Sequence, residues 1–411
     1  MLEVEENSWL DELPAHWEVV PAWSLYRRVK RTGHPSEELL SVYRDYGVIP
    51  KSSRDDNHNV ESEDLSGYQL VKEGDLVMNK MKAWQGSVAL SEHRGIVSPA
   101  YFVFEPLHSG HLKYFHYLLR SPQYIAAYNR ISKGVRVGQW DLDPAYFRTL
   151  QIPVPPFEEQ KVIADFLDRE LEQLDDLTHK LNQFTTVLEE RLQVTLRDST
   201  RAEDHSRIPE GWKVSKLGSL FKTIGSGTTP TAGDESNFGG EVPWVTTGEL
   251  RENLILETER SITQHALRNF SALTVYPAGS LVMALYGATI GRLAFLGIPA
   301  TVNQACCVMA APKNVEPRFI YYALQASRDR LMAVAVGAGQ PNISQEIVRQ
   351  FRLNIPPLEQ QKEIVSHLDR AVASTTGLVT KAQQMLETLK QRRTALISDA
   401  VTGKTDVQGK N

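Results

Sequence analysis

Residues able to do covalent or metal chemistry are few in this chain, and their spacing does not suit it. Cys306 and Cys307 are the only thiols. As neighbours they cannot easily bridge each other, nor can they alone supply a four-ligand zinc site. They read as small side chains buried in a strand. His34, His58, His93 and His265 show neither metal-ligand spacing nor a companion nucleophile. Gly403-Lys-Thr405 ends like a phosphate-binding loop. The glycine such a loop needs five residues earlier is Ser398, and a helical pattern precedes it where a strand is required. Gly225-Ser-Gly-Thr-Thr-Pro230 fails as a dinucleotide fingerprint because its third glycine is Pro230. No catalytic or metal-binding residue is therefore expected.

Non-covalent recognition is better provided for. Cations and small polar groups suit phosphates, whereas planar amides, guanidinium groups and aromatic rings suit base edges. In the N-terminal half such residues are Arg27, Arg28, Lys30 and Arg31, then Lys80, Lys82 and Trp84, then Arg136, Gln139 and Trp140. In the C-terminal half they are Lys222, Ser226 and Thr228, then Tyr286, Thr289 and Arg292, then Gln340 and Asn342. The glycines at 225 and 227 would let backbone amides approach a phosphate closely. A short basic run is also a common solvated surface, and turn formation alone would explain Gly339-Gln-Pro-Asn342.

The two sets match because the chain is a duplication. Pro156-Phe-Glu-Glu-Gln-Lys-Val-Ile-Ala-Asp-Phe-Leu-Asp-Arg169 aligns without gaps on Pro357-Leu-Glu-Gln-Gln-Lys-Glu-Ile-Val-Ser-His-Leu-Asp-Arg370, with eight of fourteen positions identical. Weaker echoes keep the same order. Leu13–Trp17 pairs with Ile208–Trp212, Gly74–Met78 with Gly279–Met283, Tyr114–Leu119 with Phe319–Leu324, and Gly138-Gln139 with Gly339-Gln340.

Each long repeat opens after a Pro-Pro pair, with Glu158-Glu159 or Glu359 at the positive end of the helix dipole. Each then runs without proline for roughly forty residues, about 60 Å of helix. Leu174, Leu177, Leu181, Phe184 and Leu188 recur at spacings of three and four, as do Leu378, Ala382, Met385 and Leu389, with Ile364 and Leu368 upstream. That spacing predicts a coiled-coil seam. Alternating stretches such as Leu76–Met78, Ala100–Phe104, Leu281–Leu285 and Ala305–Met309 predict strands, with aromatic-rich helices following each set. The fold class expected is α+β: two similar globular units over 1–153 and 205–354, separated by helical elements at 154–204 and 355–411.

Length and composition agree with this layout. At 411 residues the chain exceeds one ordinary core, and it is 41% hydrophobic and 23% charged. No apolar run is long enough to cross a bilayer, and the acidic start Met1–Glu6 lacks the pattern of a secretory signal, so a cytoplasmic protein is expected. The net charge of −5 argues against a uniformly basic nucleic-acid binder. The acidity is local: residues 156–200 hold five Lys/Arg against eleven Asp/Glu, whereas 205–355 hold fourteen against eleven.

Several of these motifs together resemble the specificity subunit of type I restriction-modification systems. They are Ile152–Gln160, Leu353–Gln361, Gly211-Trp212, Gly225–Pro230 and Tyr286–Arg292, in that order along nearly the whole chain. The first half departs from the pattern, with His16-Trp17 in place of Gly-Trp and no glycine-rich loop opposite 225–230. The resemblance implies two target-recognition domains, each docking on one half of a bipartite site in double-stranded DNA. It also implies two antiparallel helices as the spacer between them. It implies no catalysis and no cofactor in this chain; two modification subunits would carry S-adenosylmethionine, and restriction subunits, in systems that have them, would add ATP- and magnesium-dependent cutting. The absence of an Asn-Pro-Pro-Tyr-like element agrees with that division of labour.

Overall fold

The computed structural model describes residues 8–44, 46–54, 62, 64–136, 139–202, 208–231, 233–335, 341–405 and 407, and no side chain over 133–139. The chain divides into two compact units, Met1–Leu181 with Gln383–Asn411, and Asn182–Ala382.

The first unit runs through β1 (Glu18–Pro21), the single turn α1 (Ala22–Leu25), β2 (Tyr26–Val29), β3 (Leu40–Tyr43) and β4 (Gly47–Pro50). β5 (Gln69–Val71), β6 (Leu76–Asn79), β7 (Val88–Leu90), β8 (Gly95–Val97) and β9 (Tyr101–Pro106) follow. Then come α2 (Leu112–Leu119), α3 (Pro122–Ile131), the hairpin β10 (Ser132–Arg136) and β11 (Gln139–Leu142), the turn α4 (Pro144–Phe147) and β12 (Gln151–Val154). Its main sheet has the order β2-β9-β6-β7, antiparallel throughout, while β1 and β12 pair to close the unit. Period-2 alternation sends Leu76, Met78, Phe102 and Phe104 into the core built with α2 and α3. Val77, Ala89 and Val103 point the other way, onto the β3-β4 hairpin.

Helix α5 (Phe157–Thr200) starts in this unit directly after Pro155-Pro156 and ends in the second. The second unit continues with β13 (Lys213–Lys216), the turn α6 (Leu217–Leu220), β14 (Phe221–Ser226), β15 (Phe238–Val245), β16 (Asn253–Ile255) and β17 (Ser261–Ile262). Next are α7 (Gln264–Asn269), β18 (Leu281–Ala284), β19 (Leu293–Leu296), β20 (Thr301–Val302) and β21 (Cys306–Pro312). Helices α8 (Pro317–Ala326), α9 (Arg328–Ala333) and α10 (Gln345–Gln350), strand β22 (Arg352–Ile355) and the long α11 (Leu358–Val401) complete the chain. The sheet order β14-β21-β18-β19-β16 repeats that of the first unit with one added strand, and β13 pairs with β22 as β1 does with β12. The register repeats too: Leu76 faces Phe104, and Leu281 faces Met309. Around Trp244, residues of β15, β17 and α7 form a small separate core.

In each unit one long helix leaves the globular part where the other arrives, so the two run antiparallel. In the first, Leu171 and Leu174 of α5 are buried with Ala400 and Val401 of α11, and Arg393 Nη1 lies 2.5 Å from Asp175 Oδ1. In the second, Leu196 of α5 shares a core with Val365 and Leu368 of α11. Both helices have 44 residues, about 66 Å. The expected seam is less buried than its spacing suggests, since Leu177, Phe184, Leu378 and Met385 stay exposed. Burial is complete where globular elements cover the helices, and a lone helix pair covers only a narrow stripe.

Candidate nucleic-acid interface

In the first unit, strand alternation divides the basic run between two faces. Arg27 and Arg31 fall on one side. Arg27 pairs with Glu105, while Arg31 reaches Glu105 Oε2 at 2.7 Å and Asp75 Oδ2 at 2.5 Å. Hydrogen bonds from Arg27 and then Arg31 hold the Glu105 carboxyl below its ordinary pKa, so this side is neutralised. Arg28 and Lys30 fall on the other side with Lys80. The Arg28 guanidinium sits 4.5 Å from the centre of the Phe102 ring and the Lys80 ammonium 5.0 Å from it. Burial, and then the nearby Arg28, push the Lys80 pKa down, with Lys30 adding to the effect. These three like charges form the cationic part of the site.

The loop after β6 carries Lys80, Lys82 and Trp84 beside the β10-β11 hairpin. The Leu142 amide donates to the Lys80 carbonyl (2.9 Å), and the Trp84 and Trp140 rings lie 4.9 Å apart, centre to centre. Trp84 Nε1 donates to the Met81 carbonyl (2.9 Å), and Gly86, at φ +94°, closes the turn. Lys82 is exposed. Arg136 and Gln139 end the two hairpin strands, and their side chains lie outside the described residues.

In the second unit the loop after β18 meets the segment 341–343 with different residues. Tyr286 and Asn342 form an antiparallel bridge, the Gly287 amide donates to the Pro341 carbonyl (3.0 Å), and the Ile343 amide to the Leu285 carbonyl (2.9 Å). Thr289 Oγ1 donates to the Tyr286 carbonyl (2.9 Å), which shapes the turn. Arg292 is half-buried at its end. Gln340 lies outside the described residues. Lys222 is exposed near the start of β14, and Ser226 ends that strand four residues later, about 13 Å away. The Thr228 carbonyl accepts from Trp244 Nε1 (3.2 Å).

Packing inside the chain accounts for the two glycines. A Cβ on Gly225 would lie 2.3 Å from the Tyr276 hydroxyl, and one on Gly227 only 1.6 Å from the Val302 carbonyl oxygen. The Gly227 amide already donates to Asn303 (3.3 Å), so the expectation that it serves a phosphate gives way to an internal role. Cys306 and Cys307 are buried in β21 on opposite faces, and burial pushes the Cys307 thiol up to about 12. Among the described residues no group of three His, Cys, Asp or Glu side chains could hold a metal ion, and no helix is long and apolar enough to cross a membrane.

Sequence reasoning missed what the repeated Pro-x-Glu-x-Gln-Lys motif does. Together with the aspartate seven residues after its lysine, it locks each long helix to its globular part through the same three contacts. Gln160 accepts from the His111 amide and donates to the Pro155 carbonyl, both at 2.8 Å; Gln361 does the same with Glu316 and Pro356, at the same distances. Trp17 Nε1 donates to Glu159 (3.1 Å), and Trp212 Nε1 to Gln360 (3.0 Å). Tyr117 and Lys113 converge on Asp168, as Tyr322 and Arg318 do on Asp369. Burial opposes ionisation of Asp168, yet the Lys113 and Tyr117 hydrogen bonds hold its pKa below the ordinary value. The signal lay in the repeat itself, where identity falls on Glu, Gln and Asp rather than only on apolar positions.

The family model for the type I restriction modification DNA specificity domain matches this chain twice, over residues 26–184 and 209–388. The chain belongs to that family. Each matched range takes in one main sheet, the loop that follows its third strand in sheet order and the adjoining part of a long helix. The specificity subunit of the StySPI type I restriction enzyme from Salmonella potsdam is 22% identical, covering 97% of this chain and 91% of its own length. The EcoKI specificity subunit of Escherichia coli K12 gives the same three figures. Among solved structures, a chain from a study of complex assembly in the type I R-M system superposes with a TM-score of 0.77 at 16% identity, covering 96% of this chain and 99% of that one. The HsdS subunit of Thermoanaerobacter tengcongensis gives 0.56 at 18%, covering 96% and 98%. Both share the fold of this chain over nearly their whole length.

Proposed function

We infer that this chain is the DNA-specificity subunit of a type I restriction-modification complex, with each unit reading one part of a split site in double-stranded DNA. The observation that carries this reading is the repeated site: in both units a loop after the third strand of the sheet order meets a second segment that returns beside it. The residue types differ between the two, cationic and indole-rich around Lys80, Trp84 and Trp140, polar around Tyr286 and Asn342. Two equivalent frames with unlike side chains suit two different half-sites. The chain itself is non-catalytic. Two modification subunits supply S-adenosylmethionine and the methyl transfer, and where restriction subunits join the complex they add ATP- and magnesium-driven cutting. The exposed apolar residues of the long helices, Leu177, Phe184, Leu378 and Met385 among them, offer those subunits surface to cover. The complex acts in the cytoplasm.

The test is domain exchange. Residues 205–354 are replaced by the corresponding segment of another specificity subunit, and methylation is mapped by sequencing in cells carrying the modification subunits. One half of the methylated motif should change while the other stays. A motif altered in both halves together would overturn the reading.

A further inference from the structure

Beside the cationic face of the first unit lies a cavity of about 510 Å³, lined by Trp23, Arg27, Arg28, Leu107, Pro144 and Arg148 among others. Arg27 is paired with Glu105, but Arg28 and Arg148 have no carboxylate partner among the described residues, and Trp23 is 54% exposed. Two guanidinium groups without a carboxylate partner at one mouth repel each other until an anion arrives. The guanidinium fork matches phosphate oxygens in geometry as well as charge. Arg28 belongs both to this cavity and to the Phe102 cluster that includes Lys80, so the cavity continues the proposed DNA site.

The duplication supplies an internal control. At the matching place in the second unit, Gly218 stands for Trp23, Thr223 for Arg28 and Arg349 for Arg148. There Arg349 Nη2 and Gln345 Nε2 both donate to the Ile224 carbonyl, and a Cβ on Gly218 would come within 3.1 Å of the Arg349 carbonyl oxygen. The same fold position is thus filled in one half and open, aromatic and cationic in the other.

We propose that the Trp23–Arg28–Arg148 cavity is a seat for a backbone phosphate of the duplex, present in the first unit and without counterpart in the second. This rests on the reading of the chain as a DNA-specificity subunit. The seat fixes the register of the first half-site and carries salt-dependent affinity without choosing bases.

The experiment uses the assembled complex with its modification subunits and a duplex bearing the mapped site. Site-specific binding by the unaltered complex tests the underlying reading; the seat is tested only against that background. Arg148→Gln and Trp23→Ala, both surface changes, should weaken binding several-fold at physiological salt and leave the recognised sequence unchanged. Arg148→Gln should also reduce the slope of log affinity against log salt by about 0.9. Neutral methylphosphonate is then placed at each backbone position in turn. At one position, next to the half-site read by the first unit, it should weaken the unaltered complex but not the Arg148→Gln complex. The proposal is overturned by an unchanged salt slope, by a changed sequence preference, or by methylphosphonate effects that add fully to the substitution at every position. Thermal unfolding of the variants within about 1 °C of the unaltered chain excludes misfolding as the cause.

Discussion

Replacing Gln361 by leucine tests whether the repeated polar lock, rather than apolar packing, fixes each long helix to its globular part. Gln361 is 1% exposed, and its amide makes two bonds of 2.8 Å, one from the Glu316 amide and one to the Pro356 carbonyl. Leucine has a similar volume, so the change removes hydrogen bonds without opening a large cavity. Each backbone group left without its partner costs about 1–3 kcal/mol, which gives about 2–6 kcal/mol for the pair. For a unit of about 200 residues, 1 kcal/mol lowers the melting temperature by roughly 2–4 °C. A fall of at least about 4 °C is therefore expected by calorimetry of the full chain, with faster amide exchange at the start of α8. Gln160→Leu should act equally in the first unit, because its bonds to His111 and Pro155 have the same lengths. Gln350→Leu, at an exposed position, serves as the control. If both buried substitutions cost under about 1 kcal/mol, the lock is incidental and the reasoning fails.

Burial holds the imidazoles of His116 and His108 at pKa values of about 3 and about 4, so they stay neutral in the folded chain while the unfolded chain takes up protons below about 6.5. The first unit should lose stability as pH falls from 6.5 towards 4, and the second, with Tyr321 and Lys313 at those places, should not share this loss; peptide-resolved hydrogen exchange at pH 7 and 5 checks it. Matched four-residue insertions after Leu181 in α5 and Ala382 in α11 add about 6 Å of helix and should widen the unread gap of the methylated motif by one or two base pairs. An unchanged gap in active variants would mean that the helices do not set the spacing.

The sequence showed what repeats at the scale of whole elements. Pro-Pro pairs marked where α5 and α11 begin, and alternation around Leu76–Met78 and Leu281–Leu285 marked the two central strands, because helix starts and strand faces are local properties. The helical seam was legible in its three-four spacing, but that spacing reports an apolar stripe without reporting what lies over it; Phe184 and Met385 fit the pattern and remain exposed. The basic run Arg27–Arg31 looked like a single feature, but only the strand pleat and the distant Asp75 and Glu105 decide which of its cations are neutralised. The internal packing role of Gly225 and Gly227 was not legible for a related reason. Tyr276 and Val302, which require those glycines, come some fifty and seventy-five residues later, where no local pattern could connect them.

The division of the long helices between units has a consequence for how the protein is made. The second unit is one continuous stretch, Asn182–Ala382, and has all its parts once that stretch leaves the ribosome. The first unit is not continuous: Ala400 and Val401 belong to the same core as Trp17, Leu171 and Leu174. At about 5–20 residues per second, translation needs on the order of ten to forty seconds after Leu181 before those residues appear. For that time the older half keeps an open apolar face. The half made first is thus completed last, and a nascent chain stalled within α11 would carry a finished second unit beside an unfinished first one, exposing a surface that chaperones and proteases recognise.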